Sequence, residues 1–174
     1  MKLNIREIAV FAMLGALMVA SKELMAALPN IHLLGVIIVA MTVAYRAKAL
    51  YPIYIYVFAE GLLQGFSPWW VLNLYVWAIL WGAVMLLPKN MPPKVQPAVY
   101  AVVCSLHGFL YGTLCAPAQA LLFHLDFKGT LAWIAAGFPF DIIHGISNLI
   151  CGILIVPIVR ALKAADRGIN KKIK

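Results

Sequence analysis

Charged residues are scarce in this sequence. Only 11% of its 174 residues are Asp, Glu, Lys or Arg, whereas soluble domains carry about a quarter. Hydrophobic residues make up 64%, and the mean hydropathy is +0.94. A soluble core of this size cannot absorb so much apolar surface, so the excess must face lipid. The composition predicts an integral membrane protein, and the length allows one compact domain.

Motifs that carry catalytic chemistry are also absent. The sequence has no GxxxxGK[ST] loop, so ATP hydrolysis by this chain is not expected. It has no HExxH, no GxSxG and no DxxxD pair, and its four histidines are scattered without metal-ligand spacing. We therefore predict no catalytic residue, no metal site and no cofactor in this chain, and hence no enzyme.

Six apolar segments can be separated by turn residues and charges. They cover residues 5–28, 31–45, 50–66, 69–87, 95–123 and 131–162. About twenty apolar residues span a bilayer as a helix. Within lipid the backbone groups must bond inside their own segment, which favours helices. The sequence predicts an all-α bundle of six transmembrane helices.

Basic residues give the expected orientation, because Lys and Arg collect on the cytoplasmic side of membrane proteins. Of the 14 basic residues, Lys128 alone falls in an odd-numbered connection, and Lys22 lies within a segment. The other twelve fall at the two termini and in the even-numbered connections: Lys2, Arg6, Arg46, Lys48, Lys89, Lys94, Arg160, Lys163, Arg167, Lys171, Lys172 and Lys174. This predicts two cytoplasmic termini. No basic groove with interleaved aromatic residues is present, so nucleic acid is not an expected partner.

The sixth segment contains the most concentrated set of polar residues. Asp141, His144 and Asn148 are spaced i, i+3 and i+7, which places them on one face of a helix. Ionisable groups inside a membrane are costly and often functional. The face is therefore either part of a ligand site or an interhelical hydrogen-bond network that holds the bundle together.

Further polar residues fall in the outer half of other segments. Glu60 is either part of a second ligand-facing surface or a buried partner for Lys22. Asn73 and Trp77 are spaced i, i+4 and would offer a stacking face with one hydrogen-bonding group. His107 is interpreted as a core histidine. Together the polar positions indicate a pocket that opens to the outside.

Small residues repeat along the first segment. Ala12, Ala16 and Ala20 recur every four residues, with Gly15 beside them. Small residues at this period let a second helix approach closely. That second helix belongs either to this chain or to another subunit.

The two segments Phe11–Ala20 and Phe138–Asn148, in a six-helix chain of this length, resemble a known family. The chain is similar to the substrate-binding S components of energy-coupling factor (ECF) vitamin transporters. Ala12 and Ala16 match the AxxxA contact motif of that family, and Ala20 continues it. The resemblance implies capture of a vitamin from outside, docking through helix 1 onto a transmembrane coupling subunit, and ATP hydrolysis by two partner ATPases.

The resemblance also implies a location for the site. In the family the site is built from the outer ends of helices 4 to 6 and the first outer loop. In this sequence those regions hold Asn73, Trp77, Gln119, Asp141, His144 and Asn148, with Pro29–His32 as a lid. Glu60 falls outside these regions.

The charges of the outer half indicate the class of ligand. Glu23, Glu60 and Asp141 outnumber Lys22, which favours a neutral or cationic ring compound. Pyridoxine-like, pyrimidine-like and thiamine-like compounds fit, cobalamin is also compatible, and a dianionic folate fits poorly. Two alternatives stay open: a standalone carrier driven by protons, and a membrane assembly subunit without a ligand.

Overall fold

The structure, a computed structural model, describes residues 3–28 and 30–171, with side chains as far as residue 166. Every regular element in these ranges is helical, in agreement with the predicted all-α class. The helices are α1 Ile5–Leu24, α2 Leu34–Tyr45, α3 Leu50–Gln64, α4 Pro68–Met85, α5 Gln96–Phe109, α6 Tyr111–Phe123, α7 Phe127–Cys151 and α8 Ile155–Lys171. Short 3-10 turns, Arg46–Ala49 and Gly152–Leu154, precede α3 and α8.

Local capping explains where several helices begin. The Asn4 side chain accepts a hydrogen bond from the Glu7 amide at 2.8 Å, and the Glu7 carboxylate accepts one from the Asn4 amide at 3.2 Å. This reciprocal pair is a capping box. Asp126 caps α7 by accepting from the Gly129 amide at 2.7 Å. Because of that cap, α7 starts at Phe127, four residues before the predicted segment.

The last two predicted segments are each divided. The segment 95–123 forms two helices that meet at Leu110, and the segment 131–162 forms α7, a 3-10 turn and α8. Pro139 does not interrupt α7, which is continuous from Phe127 to Cys151. Each of these two predicted segments therefore corresponds to two consecutive helices rather than to one.

Four helical stretches of the described chain are long and apolar enough to cross a membrane, judged by length and composition. They are Leu34–Gln64, Pro68–Met85, Gln96–Phe123 and Phe127–Asp166. The first contains α2, the 3-10 turn and α3. Helix α1 is not among them, because it carries Arg6 and Glu7 near its start and Lys22 and Glu23 near its end.

Ion pairs fix the relative direction of α1 and α3. Glu7 near the start of α1 pairs with Lys48, and Lys22 near the end of α1 pairs with Glu60. The two helices therefore run parallel. The Arg6 guanidinium donates to the Asp166 carbonyl at 3.1 Å, which brings α8 to the same end as the start of α1.

We call this end of the bundle the basic end. Its basic side chains include Arg6, Arg46, Lys48, Lys89 and Lys163, and Lys94 lies in the same connection between α4 and α5 as Lys89. Lys2, Lys172 and Lys174 lie outside the described residues, and the side chains of Arg167 and Lys171 are not described. The opposite end, where Lys22 pairs with Glu60, is called the polar end.

Helix α2 lies at the centre of the bundle. Every residue from Leu34 to Thr42 is buried, against α4, α5 and α8. Helix α5 packs along α7, where Gly108 and Gly145 face each other. A Cβ added at Gly108 would lie 2.9 Å from the Gly145 backbone. Lipid tails are as apolar as leucine, so there is no hydrophobic driving force between helices in a membrane. Close packing of this kind stabilises their association instead.

Candidate functional site

A cluster of five aromatic rings lies where α4, α5, α6 and α7 meet the loop before α2. We call it the ring cluster, and its members are His32, Trp77, His107, Tyr111 and His144. The His32 and His144 ring centroids are 4.6 Å apart, and Tyr111 lies 5.0 Å from His144. Trp77 lies 5.7 Å from His107 and 5.8 Å from Tyr111. These separations are those of interacting aromatic pairs.

The ring cluster is almost closed to solvent. Trp77, His107 and His144 are 2%, 6% and 3% exposed, and His32 and Tyr111 are half-buried. His32 reaches the cluster from the loop between α1 and α2, outside the helices. Burial lowers the pKa of His32 to about 4, so this imidazole is neutral near pH 7.

Some polar atoms around the cluster have partners within the protein. The Trp77 indole donates to Asn73 Oδ1 at 2.8 Å. His107 Nε2 lies 3.0 Å from the Val76 carbonyl, which can only accept, so Nε2 carries the proton of this contact. Asn148 Nδ2 donates to the Cys104 carbonyl at 3.2 Å. The contacts of His107 and Asn148 each use one polar atom of the side chain and leave the other, Nδ1 of His107 and Oδ1 of Asn148, without a partner.

Four buried polar atoms in this region have no hydrogen-bond partner within the protein. They are His32 Nδ1, His107 Nδ1, His144 Nε2 and Asn148 Oδ1. Most buried polar atoms in proteins are paired, and an unpaired one costs about 1–3 kcal/mol. Four such atoms among the five rings are hydrogen-bonding and stacking groups that suit a ligand with its own donors and a planar ring.

The inward face of α7 carries the three polar residues whose i, i+3, i+7 spacing predicts a shared helix face. Asp141, His144 and Asn148 are buried, while Ile142, Ile143 and other residues on the opposite side are exposed. Both carboxylate oxygens of Asp141 accept from the Gly112 amide, at 3.0 and 3.1 Å. Asp141 therefore binds the first turn of α6, where a negative charge is favourable, and holds the residue next to Tyr111.

Glu60 lies in a separate polar pocket of about 120 Å³ between α1, α3 and α4, which Asn73 also lines. Its carboxylate binds Lys22, which is the pairing that the sequence left as one of two interpretations. The adjacent Gln64 donates to Glu23 at 2.9 Å. Asn73 joins this pocket to the ring cluster through its bond with Trp77. Gln119 is half-buried on α6 and takes no part in the ring contacts of the described residues.

Sequence reasoning did not identify two members of the cluster. His107 was interpreted as a core histidine, and Tyr111 was not singled out. Their i, i+4 spacing was the available signal, but a helix break at Leu110 separates them. Their contact distance of 6.1 Å follows from that break and from the packing of α6 on α4.

The alanine stripe of α1 faces away from the rest of the chain. Ala12, Ala16 and Ala20 are all exposed. The opposite face packs inward through Phe11, Gly15 and Met18, and a Cβ at Gly15 would lie 2.5 Å from Ile55 Cγ2. Gly15, and not the alanines, allows α1 to approach α3. Within the described chain the stripe has no covering helix.

The predicted lid is described in part. Pro29 lies outside the described residues, and Asn30 has a φ of 60°, which turns the chain back towards the bundle. His32 then lies against His144 and Trp77. The loop therefore contributes one ring to the cluster, and its role as a lid stays a prediction.

Among the described residues, no group of three His, Cys, Asp or Glu side chains is arranged to hold a metal ion. Comparison with known proteins adds no assignment, since no family model, no curated protein and no solved structure matches the chain.

Proposed function

We propose that this chain is the substrate-binding S component of an ECF-type importer in the cell membrane. In this role it captures a water-soluble vitamin or vitamin precursor from outside. The ring cluster carries the proposal, because four of the seven buried side-chain polar atoms without a partner in the described part of the chain belong to its three histidines and to the neighbouring Asn148. A bundle held together by packing alone has no need of such atoms, and retaining them costs stability.

The ligand we propose is a neutral or cationic ring compound. The aromatic faces of Trp77 and Tyr111 suit a planar ring. His107 Nδ1 and Asn148 Oδ1 are acceptors, since the other polar atom of each side chain already donates. A ligand with at least two donors on its edge would satisfy both. Pyrimidine-like, pyridoxine-like and thiamine-like compounds have such edges, and a folate dianion would meet no cationic residue in the ring cluster.

The alanine stripe supports a partner subunit in the membrane. In this proposal Ala12, Ala16 and Ala20 contact a transmembrane coupling subunit, which is bound to two ATPases that hydrolyse ATP. Exposed small residues at this period make a surface on which another helix packs closely. The chain itself then needs no nucleotide-binding motif.

The topology we propose has six membrane crossings and two cytoplasmic termini. Helix α1, α2, α3 and α4 would each cross once, α5 with α6 would make the fifth crossing, and α7 with α8 the sixth. The parallel arrangement of α1 and α3 requires α2 to return between them. With the basic end in the cytoplasm, the loop that carries His32 faces outside.

Small molecules that copurify with the full chain provide the first test. The chain is purified in mild detergent, its bound compounds are identified by mass spectrometry, and their affinities are measured by calorimetry. We expect one ring compound to bind, and His144→Ala to weaken it at least about tenfold. The matched control is His124→Ala, an exposed histidine after α6. Equal affinities for wild type and both variants would contradict the proposal.

Reconstitution separates the remaining alternatives. One buried carboxylate oxygen of Glu60 has no hydrogen-bond partner in the protein. This oxygen is the observation that favours a proton-driven carrier. Purified chain in liposomes with a proton gradient should not accumulate the ligand unless coupling subunit and ATPases are added. Accumulation by the chain alone would establish the carrier, and absence of any binding compound would favour an assembly subunit.

A further inference from the structure

A second pocket lies at the basic end, far along the helices from the ring cluster. It has a volume of about 210 Å³ and is formed where α2, α4, α5 and α8 meet. Three cationic side chains line it: Arg46 from the turn after α2, Lys89 from the turn after α4 and Lys163 from α8. None of the described residues that line it is acidic.

Arg46 is held in place by contacts on both its side chain and its backbone. Its Nη2 donates to the Met85 carbonyl at 2.8 Å, and its own carbonyl accepts from the Trp81 indole at 3.1 Å. Its backbone has a φ of 54°, a conformation that costs a non-glycine residue about 1 kcal/mol or more. The protein thus maintains an unfavourable backbone geometry at the residue that brings a guanidinium to this pocket.

The guanidinium keeps one donor unused. Arg46 Nε is buried and has no hydrogen-bond partner within the protein. Guanidinium groups bind phosphate through several N–H donors at once. Lys89 and Lys163 are exposed, so they lie at the mouth of the pocket while the half-buried Arg46 lies deeper.

Apolar residues complete the pocket and indicate the kind of anion. Val84 and Leu87 form part of its wall beside the three cations. A free inorganic anion gains nothing from such a wall, whereas a phospholipid presents a phosphate next to its glycerol and acyl chains. Basic pockets between transmembrane helices on the cytoplasmic side are known to take anionic headgroups.

We propose that this pocket binds the headgroup phosphate of an anionic phospholipid. Arg46 contacts the phosphate, and Lys89 and Lys163 add charge at the mouth. The site is separate from the ring cluster and does not depend on transport. A lipid bound there joins the turn after α2 to α8, which otherwise meet through apolar contacts of α2.

Native mass spectrometry of the full chain in detergent tests this site. Phosphatidylglycerol and phosphatidylcholine are offered at equal concentration. We expect one phosphatidylglycerol to be retained at least about tenfold more strongly than phosphatidylcholine, because each cation near the surface contributes roughly fivefold. Arg46→Gln should lower phosphatidylglycerol affinity about fivefold. Lys94→Gln removes the same charge at the same end, outside the pocket, and should change the affinity by less than about twofold.

A second variant and a competition experiment complete the test. Because Arg46 also bonds Met85, Lys89→Gln serves as a second variant whose exposed side chain makes misfolding improbable, and it should lose affinity as well. Inorganic phosphate added at the lipid concentration should not displace phosphatidylglycerol. Displacement would assign the site to free phosphate. Equal retention of the two lipids, or equal losses in Arg46→Gln and Lys94→Gln, would overturn the proposal.

Discussion

Helices α1 and α7 each carry a periodic stripe of residues that stands out from their apolar surroundings, and the two stripes face opposite ways. On α1 the alanines at positions 12, 16 and 20 face out of the chain, and the apolar Phe11 and Met18 face in. On α7 the polar Asp141, His144 and Asn148 face in, and isoleucines face out.

The opposite directions of the two stripes follow from what each kind of residue can contact in a membrane. A polar stripe in a membrane must face protein or ligand, because lipid cannot pair its groups. A stripe of alanines has nothing to pair and is compatible with lipid, so its outward direction costs nothing until another helix packs on it. The inward stripe therefore has its partners within the chain, and in the proposed function the outward stripe contacts another subunit.

The largest expected effect comes from filling the outward stripe. Ala16→Phe should abolish uptake in cells that also express the coupling subunit and ATPases, because a phenyl ring prevents close helix approach. Affinity for the ligand should stay within about twofold, since Ala16 is exposed. Leu17→Phe adds the same ring to an exposed position off the stripe and should leave most uptake intact. Loss of ligand binding in Ala16→Phe would mean that the stripe packs internally.

Separating the inward stripe from α5 should have the next largest effect. Gly108→Ala places a methyl group 2.9 Å from the Gly145 backbone, which cannot shift cheaply. We expect a loss of about 1–3 kcal/mol in the free energy of unfolding, measured in detergent. Gly82→Ala is the control, because a methyl there meets nothing within 4 Å and alanine favours the helix. Equal stability of the two variants would show that α5 and α7 are not packed this closely.

Removing one polar group from the inward stripe should weaken ligand binding without unfolding the bundle. Asn148→Ala deletes the unpaired Oδ1 and is expected to reduce affinity about tenfold in calorimetry. The thermal transition of the variant checks that the fold is retained. Wild-type affinity in a folded variant would assign Asn148 to the scaffold.

The smallest effect is expected for the variant Asp141→Asn. Asp141→Asn keeps an oxygen that can accept from the Gly112 amide, so α6 and Tyr111 should stay in place. Ligand affinity should fall by no more than about threefold. Asp141→Ala, which removes the acceptor altogether, should cost about tenfold more than Asp141→Asn. A large loss in Asp141→Asn would indicate that the carboxylate charge contacts the ligand directly.

Apolar length and charge placement predicted the all-α class, because both are local properties of the sequence. The starts of α1 and α7 follow from Asn4 and Asp126, which are also local signals. The break at Leu110 had no such signal, since it accompanies a contact between Gly112 and Asp141, 29 residues apart. The capping residue of α6 thus lies on another helix.

The candidate site was predictable in its polar residues but not in its geometry. The spacing of His144 and Asn148 indicated a shared face, and Asn73 with Trp77 a second one. The way in which these faces meet could not be predicted from the sequence. His32 joins them because Asn30 reverses the chain, and Glu60 is drawn into a different pocket by Lys22.

The pairing of Lys22 with Glu60 has a consequence for how the chain is made. Helix α1 is synthesised before α3, with Lys22 and Glu23 near its C-terminal end, and charged side chains oppose partition into lipid. Its partner Glu60 follows Lys22 by 38 residues. If α1 crosses the membrane as proposed, we expect its stable insertion to be completed only when α3 reaches the bilayer. Truncated chains that end before α3 should release α1 from the bilayer.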